Sequence, residues 1–241
     1  MRENASGAGN QQERPILQKE WESSETICRT PYQKRQVLQA YLFGAMHDGT
    51  IRHADHRFRI AQKGTQWLEV IQKLLADLHY NSWIYREGKT RQVYILESVA
   101  PIFRESFDPW KLATALEKQA YLRGFFDAEG GTPQAAKSKK YIQLVQKDKR
   151  KIELIKQLLA EIGIATGKIH NPSKAVDPNY WRIFVSLPFL QTFVLTVGSW
   201  HPRKRAIFNE WMKIWPMPYG DIGKNMNKAS LGEPGDGSPP F

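Results

Sequence analysis

Two stretches of this chain follow one plan. AYLFGAMHDGT at 40–50 and AYLRGFFDAEGGT at 120–132 each lead into a strand-like run ending in Gln-Lys, RFRIAQK at 57–63 and KYIQLVQK at 140–147. An amphipathic helix follows in each, QWLEVIQKLLADL at 66–78 and RKIELIKQLLAEI at 150–162. Ile60, Gln62, Lys63, Leu74 and Leu75 stand 84 positions before Leu144, Gln146, Lys147, Leu158 and Leu159. A separation held through strand and helix alike points to a duplicated unit, whose copies bury their apolar faces against one another.

Within each copy the periodicity sets the elements. Trp67, Val70, Ile71, Leu74, Leu75 and Leu78 recur at helical spacing, as do Ile152, Ile155, Leu158, Leu159 and Ile162, and both sets are expected in the core. A hairpin-like segment comes next: WIYREGKTRQVYIL at 83–96 turns at Glu87-Gly88-Lys89, and GKIHNPSKAVDPNYWRIFVS at 167–186 turns through a longer loop. PIFRESF and PFLQTFV then start short helices with Pro in the first turn. Each half therefore reads helix, two strands, helix, two strands, helix, with halves predicted at 33–110 and 111–216. Residues 1–32 lack periodicity and residues 217–241 are rich in Gly and Pro, so both are expected as flexible tails.

The net charge of +11 at pH 7 bears on partners and not on fold. A polyanion such as nucleic acid fits it, and a ribosome-associated or merely basic protein is the alternative. Cys28 is the only cysteine, which excludes an internal disulfide and a multi-thiolate metal site. No apolar run approaches the roughly 20 residues a membrane span needs, and the N-terminus lacks the apolar core of a secretory signal. An intracellular protein without membrane partners is expected, in the cytoplasm, nucleoid or an organelle matrix.

The chemistry is expected where the two copies meet. Leu116, Ala120 and Gly124 are spaced by four on the helix of the second copy. A mid-helix glycine costs about 1 kcal/mol relative to alanine, so it needs a reason such as the close approach of another backbone. The matching helix carries Gly44 and Ala45. If the two cross there, their C-terminal ends lie side by side and bring Asp48-Gly49 next to Glu129-Gly130. Exposed carbonyls already make such ends negative, a poor place for carboxylates without a cation. Hard oxygen ligands on an otherwise basic surface suit Mg²⁺, which keeps several waters and binds substrate phosphate with one or two carboxylates. Two ordinary helix-end turns are the plain alternative. His47, Asp48, His53, Asp55 and His56 suggest another, a histidine-rich one-metal site, although on a strand His53 and His56 would point oppositely.

Residues 122–130, LRGFFDAEG, resemble the signature of the LAGLIDADG homing endonucleases, with Leu122, Gly124, Asp127, Ala128, Glu129 and Gly130 in register. Two copies in one chain resemble the single-chain members. The first copy departs from the pattern: three residues separate Gly44 from Asp48, whereas four separate Gly124 from Glu129. Aligning on Asp48-Gly49 puts Phe43 at the packing-glycine position and His47 where a small residue is usual. Over about residues 34–215 the resemblance implies an α+β fold, a pseudo-twofold duplicated αββαββα with two antiparallel DNA-binding sheets around two central helices. It also implies a monomeric, intron-encoded enzyme that cuts both strands of a long asymmetric DNA site. Two or three divalent ions, Mg²⁺ with Mn²⁺ as a substitute, would be held at Asp48 and Glu129, with Gly49 and Ala128 among the metal-contacting positions. Gln62 and Gln146 match the polar residue that orders water around the metals, and Lys111 and Lys204 the basic residue that completes the pocket. A non-cleaving binder on the same scaffold, such as an RNA-splicing maturase with its own intron RNA as partner, is the alternative.

Strand alternation puts Phe58, Ile60 and Gln62 on one face and Arg57 and Arg59 on the other, and likewise Ile142, Leu144 and Gln146 opposite Lys139, Tyr141 and Gln143. Such a row of Arg, Gln, Lys and Tyr suits base edges in the major groove. Arg86, Lys89 and Arg91 in one hairpin and Lys168, Lys174 and Arg182 in the other would extend the contact or hold phosphates, as would Arg52, Lys63 and Lys147 at strand ends.

Overall fold

A computed structural model describes residues 30–52, 57–88, 90–104 and 107–215. Both expected tails, except for residues 30–32, fall outside these residues, as do Lys89, His53, Asp55 and His56. The first half runs α1 (Pro31–Ala45), β1 (Gly49–Arg52), β2 (Arg57–Gln62), α2 (Gln66–Asp77), β3 (Ser82–Arg86) and β4 (Tyr94–Ser98). The second runs α3 (Ala115–Glu129), β5 (Gly130–Gly131), β6 (Gln143–Gln146), α4 (Lys149–Glu161), β7 (Trp181–Phe184), α5 (Leu190–Thr196) and α6 (Pro202–Ile214). Among the described residues no helix is long and apolar enough to cross a membrane.

The first sheet has the order β1-β2-β4-β3 and the second β5-β6-β7, all antiparallel. The strand missing from the second sheet survives as two bridges, Thr166 to Val185 and His170 to Arg182. Beyond His170 the chain enters a loop with Pro172 and Pro178, which cannot donate to a ladder, so the pairing stops there. PIFRESF also departs from expectation, giving one 3₁₀ turn at Pro101–Arg104 in place of a helix.

The duplication reaches the backbone. Gly49 pairs with Ile60 and Gly130 with Leu144, so each glycine following a candidate acid meets the same strand position. The offset changes from 81 to 84 only in the segment between those strands. After α2, Tyr80 N–H donates to Leu75 O at 2.8 Å and His79 N–H to Ala76 O at 2.9 Å; after α4, Ile164 N–H donates to Leu159 O at 2.8 Å and Gly163 N–H to Ala160 O at 3.0 Å. Both are helix ends closed by one left-handed residue, at φ 64° for His79 and 79° for Gly163.

The sheets wrap the crossed pair α1 and α3. A Cβ on Gly44 would lie 2.6 Å from Phe125 N, and one on Gly124 would lie 2.8 Å from Ala45 N and closer still to Tyr41 O. The glycines therefore pack reciprocally, and Gly44, not Phe43, fills the packing position. Tyr41, Leu42, Tyr121, Leu122, Phe125 and Phe126 are fully or almost fully buried around the crossing. From outside, α2 covers it with Trp67, Leu68, Ile71, Leu74 and Leu75, and α4 with Ile152, Ile155, Leu158 and Leu159. A reciprocal capping box starts α3: Glu117 N–H donates to Thr114 Oγ1, and Thr114 N–H to the Glu117 carboxylate.

Candidate active site at the crossed helix ends

The shortened first motif is absorbed by a change of helix type. α3 stays α-helical through Glu129, but α1 ends at Ala45 and Met46–Asp48 form a 3₁₀ turn. Five α-helical steps advance about 7.5 Å; one α step and three 3₁₀ steps also advance about 7.5 Å. Asp48 thus recovers the axial height of Glu129, at the cost of a rotation of roughly 40° about the helix axis.

Both carboxyls are shifted upward. Burial raises the Glu129 carboxyl pKa first and the charge of Asp48 second, while Lys204, Lys151 and Lys147 pull it down. Burial lifts Asp48 to about 6 against the charge of Lys204 and a hydrogen bond from Gln62 Nε2. That bond follows from the register, since antiparallel pairing of Gly49 with Ile60 carries Gln62 back past the end of α1. Carboxyls raised by burial, and Glu129 also by the charge of Asp48, are destabilised as anions, and a bound cation would remove the penalty. Among the described residues no group of three or more His, Cys, Asp or Glu could hold a metal. The donors present, two carboxylates, fit an ion that takes its remaining ligands from water and phosphate. Of the histidine-rich alternative, His47 turns inward to Tyr121 and Gln146, and His53, Asp55 and His56 lie outside the described residues.

Lys204 lies buried at the N-terminal end of α6, its ammonium donating to Phe126 O at 2.6 Å and Asp127 O at 2.8 Å. It closes the carbonyl end of α3 beneath the acids. Burial, with Arg203, lowers its pKa to about 8, while Asp127, Asp48 and Glu129 hold it up. Lys111 is not its counterpart. It sits exposed in the turn Pro109–Lys111, and the lysines acting most strongly on the acids are Lys204, Lys151 and Lys147. The reason is connectivity: residues 109–111 lead directly into α3, whereas 202–204 begin a helix packed against it.

Asp127 is buried and accepts from Tyr41 Oη at 2.8 Å, from Ser199 Oγ, and from Trp200 N–H at 2.8 Å and His201 N–H at 3.1 Å. Trp67 Nε1 donates to the same Tyr41 hydroxyl at 3.0 Å. The pseudo-equivalent Tyr121 instead meets His47 Nε2 at 3.1 Å, and Gln146 Nε2 reaches His47 Nδ1 at 3.5 Å. Each tyrosine, three residues before its packing glycine, bonds the residue three after the other glycine. Gln146 Oε1 already accepts from Lys147 N–H at 2.7 Å, so its amide nitrogen faces the ring. Along the sequence His47 stands out only as a member of the histidine-rich alternative, and Tyr41 and Tyr121 give no sign of their partners. Both tyrosines recur in the shared Ala-Tyr-Leu, but tyrosine at a helical core position carries no mark of a polar partner.

The sheet residues fall as alternation requires. Phe58 and Ile60 are buried, and Arg57 and Arg59 lie on the opposite face. There they pair with acids: Arg57 with Glu97 at 3.0 Å, Arg59 with Glu87 at 2.6 Å and with Glu97 at 3.7 Å. Arg86 Nε donates to Arg91 O at 3.0 Å and steadies the hairpin. In the second sheet Arg182 donates to Gln143 at 3.3 Å, Tyr141 to Thr132 O at 3.3 Å, and Lys139, Lys147, Lys168 and Lys174 are exposed. Arg52 and Lys63 are exposed at the ends of β1 and β2.

Residues 117–198 match the family model of the LAGLIDADG-like domain. The structure is similar to that of I-DmoI in complex with DNA and Mn (20% identity, 68% of this chain and 97% of that one, TM-score 0.53). It is also similar to I-DmoI in complex with DNA and Ca (19% identity, 73% and 98%, TM-score 0.56). Full-length DUF199/WhiA from Thermatoga maritima is similar at 16% identity over 86% of this chain and 70% of that one, with TM-score 0.56. At these identities the likeness establishes the fold, the duplicated αββαββα with antiparallel sheets. No curated protein matches the chain.

Proposed function

We propose that this chain, a LAGLIDADG-fold protein with two copies of the motif helix, is a site-specific homing endonuclease that hydrolyses one phosphodiester on each strand of duplex DNA. The observation that carries the reading is the placing of Asp48 and Glu129 at the ends of two helices locked by reciprocal glycines, beside the buried Lys204. Asp48 and Glu129, with Gly49 and Ala128 beside them, would hold two or three divalent ions. Mg²⁺, or Mn²⁺ in its place, would acidify water and neutralise charge developing on the phosphate. Gln62 orients the Asp48 carboxylate. Gln146, steadied by His47, offers an amide to water on the other side, and Lys204 supplies positive potential to the leaving oxygen.

As a monomer with unlike halves, the protein would take a long asymmetric site and serve an intron in homing, inside a cell or organelle. The sheets would lie in the major groove, with Arg52, Arg57, Arg59, Lys63, Arg86, Lys89 and Arg91 from one half and Lys139, Tyr141, Gln143, Lys147, Lys168, Lys174 and Arg182 from the other.

A library of duplex DNA incubated with Mg²⁺ should yield a single site-specific double-strand cut, abolished by EDTA and by Asp48→Asn or Glu129→Gln. The fold is shared by the homing endonuclease I-DmoI and by WhiA at comparable TM-scores, so a non-cleaving nucleic-acid binder such as a maturase is the second reading. Tight binding without cleavage, together with faster splicing of a cognate intron, would establish it.

A further inference from the structure

The outward faces of the two sheets differ in a way the duplication does not require. On the first, Glu97 stands on the central strand β4, in register between Arg59 of β2 and Trp83 of β3. It is 6% exposed, accepts from Arg57 Nη1 at 3.0 Å and Tyr85 Oη at 2.9 Å, and lies 3.7 Å from Arg59 Nε. Glu87 takes the other end of Arg59 at 2.6 Å, and the Arg57 guanidinium lies 5.3 Å from the centre of the half-exposed Trp83 ring. Burial alone would push Glu97 up, but the bonds from Tyr85 and Arg57 outweigh it and hold the carboxyl below its ordinary range, so it stays charged. Two carboxylates thus neutralise Arg57 and Arg59 at the centre of this face, while Arg52 and Lys63 stand exposed at its strand ends.

In the segments that flank the second sheet, Lys139, Lys168 and Lys174 are exposed and without an ion pair among the described residues. Within that sheet Arg182 is held by the neutral Gln143 amide and lies over Phe184 at 5.0 Å.

Resting on the DNA-binding reading above, we propose that the halves divide the work on DNA: the second sheet attaches through phosphates, and the first reads sequence with Arg57 and Arg59 held in place by Glu97. Guanidiniums already neutralised release few counterions on binding and add little salt-dependent affinity, whereas a free lysine against a phosphate contributes about 0.9 to the slope of log K against log salt. Pinned guanidiniums lose little side-chain freedom when they meet guanine edges, which favours discrimination over attraction. Glu97 is a positioning residue in this scheme.

The test is fluorescence anisotropy of the full chain on a random-sequence duplex, without divalent metal, across a salt series. Lys139→Ala with Lys168→Ala should flatten the slope by about 2, and Arg57→Ala with Arg59→Ala by less than about 0.5. Glu97→Gln should steepen it by about 1 to 2 and tighten non-specific binding several-fold, because the freed arginines then reach phosphates. Circular dichroism melts check that each variant is folded, and Glu97→Gln, of nearly unchanged shape, keeps the test valid if the arginine pair misfolds. Equal flattening by the two double variants, or an unchanged slope in Glu97→Gln, would overturn the division of labour and leave DNA binding intact. A wild-type chain that binds no duplex at any salt would overturn both.

Discussion

Replacing Gly124 with alanine tests the geometry on which the site depends. The new Cβ would overlap Tyr41 O and lie 2.8 Å from Ala45 N, and both are backbone atoms of α1, which no rotamer change can move. Relief requires the helices to separate by about an ångström along a seam packed with Ala40, Tyr41, Ala45, Tyr121 and Phe125. Overpacking of this kind costs about 3 kcal/mol. Alanine is the better helix former by about 1 kcal/mol, so the net loss is about 2 kcal/mol, a fall in melting temperature of roughly 4–8 °C for a chain of this size. Gly167→Ala is the control, since the nearest atom to its added Cβ is Phe184 O at 3.8 Å. Calorimetry of both variants, with cleavage measured well below the melt, reads stability and site geometry separately. A Gly124→Ala protein at least as stable as the parent, or one that cuts at full rate, would refute the reciprocal glycine contact.

Glu129→Gln should melt higher than the parent in metal-free buffer, because it removes a half-buried carboxylate opposed by Asp48, while cleavage is lost and one strand at most is nicked. Mg²⁺ affinity, measured by isothermal titration, should weaken as pH falls through about 6, where Asp48 takes up a proton that the metal must displace, and should level off above about 7. His47→Ala should leave the fold intact and release the Gln146 amide, so that nicked duplex accumulates on the way to the double-strand product. Asp127→Ala strips acceptors from the Trp200 and His201 amides and should cost about 3 kcal/mol in urea unfolding.

Much of the architecture was legible along the chain. The helices expected at 66–78 and 150–162 occur at Gln66–Asp77 and Lys149–Glu161, because apolar spacing alone specifies which face is covered. Gly124 announced a close backbone contact, and Gly44 provides it. The repeat of 84 also told which residues would be equivalents, down to the helix ends at His79 and Gly163. These are local matters: periodicity, steric allowance and copying are written residue by residue.

What tertiary structure decided is whatever depends on distance between segments remote in sequence. The missing residue of the first motif looked like a displaced contact, and only the 3₁₀ turn at Met46–Asp48 revealed that height could be regained by changing helix type. Lys204 entered the pocket and Lys111 did not, although both follow Pro-X, because a helix N-terminus is packed under α3 in one half alone. The arginines predicted to face outward do so, yet their acid partners Glu87 and Glu97 come from a separate hairpin. Coulomb energy falls off with spatial separation and takes no account of sequence separation, so no pattern along the chain could declare those pairs before the sheet brought them together.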